Sequence, residues 1–216
     1  MSEPVEIRFA FRNRRFVDAE RGLEALGRSL GRDLDRSAPV LASELKAFLE
    51  GVAEAMARRH GTAWPGGTTD RTLSRRSGGL LASIRESVTV SGDRMADIEG
   101  GIGGAIYLRT HEHGATIRPK KAKYLAIPLP EALNSDGTPR VASPRQWKNT
   151  FVARSRNGNL LIFQKRGRHI VPLYVLKREV RIRPRLGLGD TLRAGLPYFV
   201  DRAMDRMARA LVQGQP

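Results

Sequence analysis

Residues 151–163 read FVARSRNGNLLIF, and the fold class turns on this stretch. Two short apolar runs, one opening at Phe151 and one closing at Phe163, flank Asn157-Gly158-Asn159. Asn and Gly both tolerate positive φ, which a tight antiparallel connection requires, so a β-hairpin is expected here. Similar β-type runs surround it: Val88 with Val90, then Ile98, Ile102, Ile106 with Leu108, and residues 124–129 and 170–176. Glycines and the turn sequence Asn134-Ser135-Asp136-Gly137 separate them.

Helical spacing takes over toward both ends. Leu23, Leu26, Leu30 and Leu34 form one helix face, which Gly22, Gly27 and Gly31 each weaken by up to about 1 kcal/mol relative to Ala. A clearer helix carries Leu41, Leu45, Phe48, Leu49, Val52 and Met56, with Pro39 in its first turn and Gly61 where a C-terminal cap belongs. Ser77 is placed to cap a short helix bearing Leu80, Leu81 and Ile84. Near the C-terminus Phe199, Val200, Ala203, Met204, Met207 and Leu211 share a face, and Pro197 is expected to start or kink that helix. At the other end Val5, Ile7, Phe9 and Phe11 alternate with Glu6, Arg8, Ala10 and Arg12, as in a half-buried strand.

This order predicts an α+β fold: a mostly antiparallel β-sheet with N-terminal helices and a C-terminal helix packed against it. A length of 216 residues suits a single domain, 1–216, with an N-terminal arm of about residues 1–16 and a loop of about residues 130–149 as extensions. That loop lacks periodicity, carries Pro139 and Pro144, and reads as a structureless functional segment.

Cysteine is absent, which removes disulfides, thiolate nucleophiles and cysteine zinc sites. No apolar run approaches the roughly 18 residues that cross a bilayer, and the N-terminus lacks the apolar core of a secretory signal, so no membrane partner is expected. The net charge of +16 implies an acidic partner. It is concentrated: between Arg118 and Arg185 stand 17 Lys and Arg against Glu131, Asp136 and Glu179. Within it Arg118, Lys120, Lys121, Lys123, Arg154, Arg156, Lys165, Arg166 and Arg168 are the candidate partner- or DNA-facing residues. The preference for arginine fits bidentate contacts to carboxylate or phosphate, and equally fits a GC-rich genome.

Catalytic chemistry finds little to build on. His111-Glu112-His113 would put two imidazoles on one face of a strand, but zinc needs a third protein ligand, and an exposed strand edge is the simpler expectation. The H-E-x-x-H, P-loop and G-x-S-x-G patterns are missing, and the glycines at 100, 101, 103 and 104 read as a β-turn. The basic segment is nearly acid-free, so general acid–base pairs are hard to assemble there. The expectation is a non-enzyme without metal or cofactor. Tyr124, Trp147, Phe151, Phe163 and Tyr174 interleave with the cations, as in base-stacking platforms, which keeps a basic nucleic-acid-binding protein as the alternative.

A series of short motifs resembles one family. Trp64-Pro65 with Thr68-Thr69 is followed by Arg76-Ser77-Gly78-Gly79-Leu80-Leu81-Ala82-Ser83-Ile84, then Ala105-Ile106-Tyr107 and His111-Glu112-His113-Gly114. Ile117-Arg118-Pro119-Lys120, Lys123-Tyr124-Leu125-Ala126-Ile127-Pro128 and Ile182-Arg183-Pro184-Arg185-Leu186 complete the order. Together they look like the virion-morphogenesis and tail-completion proteins of long-tailed phages, the minor tail protein Z type. Tyr107 is followed by Leu108 where the family has Ala, and the last motif lacks its second proline and its Phe.

The resemblance implies a structural protein of the phage neck that completes the tail and joins it to the head. Copies of the chain, six by this likeness, would form a ring around the DNA channel between head-completion proteins and the tail-tube or terminator proteins. It also implies residence in the virion at the head–tail junction, and in the host cytoplasm before assembly. Non-specific contact with DNA in the channel is a further implication, and docking on an adjoining ring is the favoured role of the basic segment.

Overall fold

The computed structural model describes residues 9–11, 14–16 and 19–213. Helices and antiparallel sheets make up an α+β fold, with helices toward the N-terminus and one at the C-terminus. The chain forms two compact units, the first of residues up to 49, 88–101 and from 195 onward, the second of 50–87 and 102–194.

In the first unit, β1 (Phe9–Phe11) pairs antiparallel with β2 (Arg14–Phe16). The last three residues of the expected N-terminal strand are therefore β1, while Val5 and Ile7 lie outside the described residues. Helix α1 (Ala19–Arg36) gives way to α2 (Ala38–Arg59) at Ser37, whose hydroxyl donates to the Leu34 carbonyl at 2.7 Å. Of the leucine stripe on α1, Leu23, Leu30 and Leu34 are exposed. The stripe on α2 is better covered: Leu49 is buried and Phe48 stacks on Phe199 with centroids 5.0 Å apart.

The glycines near residue 100 are corrected by what they touch. Glu99–Gly101 is a strand, β4, pairing antiparallel with β3 (Thr89–Ser91), and not a β-turn. A Cβ on Gly100 would lie 2.7 Å from Leu45 Cδ2, so glycine lets the strand backbone press directly on α2.

The second unit is built on a four-stranded sheet in the order β6-β9-β8-β7: Leu125–Pro128, His169–Lys177, Leu160–Arg166 and Thr150–Arg154. The expected hairpin is β7–β8, and Gly158 in its turn has φ +75°. Its remaining elements are α3 (Gly79–Glu86), α4 (Leu108–His113) and the strand pair β5 (Ala115–Ile117) with β10 (Val180–Ile182). Pro172 sits inside β9 and cannot donate a ladder hydrogen bond. The pairing shifts there: Ile162 faces Tyr174 and Phe163 faces Pro172, leaving Leu173 as a bulge. Leu173 is fully buried, and its carbonyl accepts from Leu129 N–H at 2.8 Å.

Residues 130–149 are not a structureless stretch. They contain two 3-10 turns, Pro130–Ala132 and Pro144–Gln146, and a bridge between Leu133 and Pro139. Ala132 and Leu133 are buried, and Gly137 presses on the Trp64 ring so closely that a Cβ would fall 2.7 Å from Trp64 Cδ2. Trp147 Nε1–H donates to the Tyr174 hydroxyl at 3.0 Å, beside the core of Ala132, Leu173 and Tyr174. Tyr174→Phe leaves that indole N–H without its partner and is expected to cost about 1 kcal/mol in urea denaturation. An unchanged midpoint would mean the bond contributes nothing.

Three local expectations are revised. Gly78, with φ +80°, takes the N-cap position of α3; Ser77 Oγ only approaches Gly79 N at 3.4 Å. His111-Glu112-His113 lies in α4 and not on a strand edge, because the Glu112 carboxylate accepts the Leu188 and Gly189 N–H groups, each at 2.9 Å. That bond explains the third: α5 (Leu188–Gln213) begins nine residues before Pro197, which lies inside it. A carboxylate on the first N–H groups of a helix satisfies orphan donors and complements the dipole.

Candidate functional site

Six of the nine candidate basic residues divide between the two ends of the four-stranded sheet. At one end Arg154 closes β7, Arg156 lies in the β7–β8 turn, and Lys123 precedes β6. Lys177 joins them, donating to Asn159 Oδ1 at 3.1 Å, and Lys123 Nζ lies 5.8 Å from the Tyr124 ring. Lys165, Arg166 and Arg168 occupy the opposite end, where Gly167 turns β8 into β9 with φ +59°. The two groups are separated by the seven residues of β8, roughly 20 Å of strand. Arg118 pairs with Glu179 at 3.0 Å, and Lys120 and Lys121 are exposed in the bend between β5 and β6. Arg166 pairs with Glu131 at 3.4 Å. These exposed pairs contribute little to stability and leave the guanidiniums open to exchange partners.

β7 is a sheet edge, with Phe151 41% and Val152 57% exposed. Phe151 is held by a stacked contact with Phe163, centroids 5.6 Å apart. An open edge strand with exposed apolar side chains is a ready surface for another chain.

A second arrangement in this unit was not legible beforehand. A cavity of about 420 Å³ lies among the end of α2, the loop before α3, the first turn of α3, α4, and the segment before α5. His60 spans one side: its Nδ1 accepts from Leu73 N–H at 3.1 Å and its Nε2 donates to the Leu186 carbonyl at 2.9 Å. A backbone N–H can only donate, so Nδ1 is unprotonated and the ring is neutral. Burial lowers the His60 pKa, opposed by the Leu186 hydrogen bond and reinforced by Arg59 and His111. Burial and then Arg185 lower that of His111.

Arg75, Arg76 and Arg185 also line the cavity, and no lining residue is acidic. Arg76 lies over the Trp64 ring at 5.5 Å. His111 Nδ1 and Arg185 Nε are buried and have no hydrogen-bond partner among the described residues. The cavity residues come from segments far apart in the chain; the one local signal was Arg75-Arg76 directly before a glycine-started helix. No group of three or more His, Asp or Glu among the described residues is placed to hold a metal ion. Comparison with family models, curated proteins and solved structures finds no match to this chain.

Proposed function

We propose that this chain is a structural protein of the phage neck, completing the tail and joining it to the head in a ring around the DNA channel. The observation that carries this reading is the placement of positive charge at both ends of one sheet. A joint must hold a neighbour on each side, and two cationic ends roughly 20 Å apart offer two docking faces for acidic surfaces. The open β7 edge, with exposed Phe151 and Val152, supplies a lateral face for the next copy. A lateral contact of this head-to-tail kind closes into a ring when the rotation permits. The motif order from Trp64-Pro65 to Arg185 supports the same assignment by resemblance.

Charge reversal tests each end separately. Arg154→Glu with Arg156→Glu, and independently Lys165→Glu with Arg166→Glu and Arg168→Glu, should each leave filled heads and finished tails unjoined in electron micrographs. Complete particles from both variants would refute the reading. The aromatic stack beside Lys165 favours a second reading, nucleic-acid binding. A salt titration separates the two. Docking of protein predicts only non-specific DNA affinity, with a Kd on the order of 10⁻⁴–10⁻⁶ M at physiological salt, falling steeply as salt rises. Nanomolar, selective binding would make nucleic-acid recognition the function.

A further inference from the structure

We propose that the cavity lined by Arg75, Arg76, His111 and Arg185 is a binding site for the phosphate group of a small organic phosphate. Three guanidiniums line one hollow, and none has a carboxylate at ion-pair distance among the described residues. Glu112, next to His111 in sequence, is committed to the backbone N–H groups of Leu188 and Gly189, while Asp70 pairs with Arg183 and Asp190 with Arg193. Like charges gathered without a counter-charge repel, and an anion relieves that repulsion while accepting the stranded donors. Arg185 Nε is a buried donor without an acceptor, and His111 Nδ1, also buried without a partner, donates in the tautomer that protonates it.

The chemistry favours phosphate over carboxylate. The groups arrive from separate directions, through the loop before α3, α4, and the segment before α5. A phosphate monoester offers three terminal oxygens to such a set, whereas a carboxylate offers two in one plane. The first turn of α3 adds to the same wall, and its N-cap Gly78 provides no side-chain cap. Apart from Gly79 N–H, which meets Ser77 Oγ at 3.4 Å, the N–H groups of this turn have no side-chain cap and carry the positive end of the helix dipole. Volume extends the argument to the rest of the ligand. About 420 Å³ is several times what a bare phosphate fills and falls within the range of small-molecule pockets. Leu80, Leu81 and the Tyr107 ring offer apolar wall for the organic part.

The full-length protein should be titrated calorimetrically with inorganic phosphate, adenosine 5′-monophosphate and acetate at constant ionic strength in chloride. Saturable one-site binding is expected for phosphate, with the nucleotide at least as tight and acetate tenfold or more weaker. The His111 ring resonances should move during the phosphate titration. Arg185→Gln and Arg76→Gln should each weaken phosphate by roughly tenfold or more, the loss of a charged hydrogen bond. Arg76 is exposed, so its variant remains informative where Arg185→Gln disturbs folding. Four results would each overturn the proposal: no saturable phosphate binding above chloride, acetate as tight as phosphate, exclusion of the nucleotide, or unchanged affinity in Arg76→Gln. None of them bears on the joining of heads to tails, so the two proposals fail independently.

Discussion

Stripping Glu44 of its partners is expected to cost the fold about 3 kcal/mol, the penalty of a buried carboxylate left uncompensated. The side chain of Glu44 is only 3% exposed, and it accepts from two guanidiniums projected by α5. Arg206 NH1 reaches Oε1 at 2.7 Å, while Arg202 bonds to Oε2 and also lies over the Tyr198 ring at 6.0 Å. The hydrogen bond to Glu44 holds the Arg202 pKa above its usual value. The arginines are far more exposed than the carboxylate, so the two sides of the interaction are unequal. Glu44→Gln removes the charge that needs compensation and returns both arginines to water, at a smaller cost. Arg202→Ala with Arg206→Ala does the reverse and is the damaging change. In that double-alanine background, Glu44→Gln should therefore restore stability. Urea midpoints across this cycle give the sign, and a Glu44→Gln that costs the same in both backgrounds would show that no such coupling exists.

The second large effect belongs to His60. His60→Ala removes the acceptor of Leu73 N–H and the donor to the Leu186 carbonyl, two backbone groups joined through one ring. Leaving both unpaired is expected to cost about 2–4 kcal/mol. His60→Asn keeps an acceptor near the Nδ1 position and His60→Gln a donor near Nε2, so each should recover part of the loss. pH reads the same ring. Its folded pKa is lowered, so below about 6.5 the unfolded chain binds the proton more readily than the folded one. The stability of the neutral ring is therefore fully present above that value and is lost as pH falls through the lower folded pKa. His111, lowered by burial and by Arg185, adds in the same direction. Thermal midpoints between pH 8 and pH 5 should fall on acidification, and less steeply in His60→Asn. Equal slopes in the two proteins would remove His60 as the source.

Elements whose cause is local were readable in advance, and elements whose cause is distant were not. The apolar spacing of α2 and the Asn157-Gly158 turn state their own structure, because helix period and positive φ are properties of neighbouring residues. Six residues of α4 are too few to display a helical period, and the bonds that seat it come from Leu188 and Gly189, more than seventy positions away. The same bonds set the start of α5 ahead of Pro197, which local reasoning offered as either its start or a kink within it. Residues 130–149 looked featureless because their order combines irregular local bonds, such as the Ser143–Gln146 capping box, with packing against Trp64 and a bond to Tyr174 far along the chain. Their turn-rich composition speaks only of the bends. The basic residues were found by count, but a count along the chain does not reveal that strands running back and forth deal alternate turns to opposite ends of a sheet. The cavity was hidden for a related reason, since its arginines are ordinary until the chain folds them onto one hollow.

The bulge at Leu173 gives the sheet a key as well as a bend. In the native pairing the missing N–H of Pro172 falls where the ladder is already interrupted. Slide β9 along β8 by two residues, the smallest step that keeps each side chain on its own face, and the gap moves under a carbonyl that needs a donor. Leu173 would also leave the site where its carbonyl receives Leu129 N–H. Most antiparallel pairs of similar residues tolerate such sliding, and many identical chains brought close together would invite it between molecules as well as within them. A single imino acid thus acts like the notch on a lock blade: β9 mates with β8 in one position.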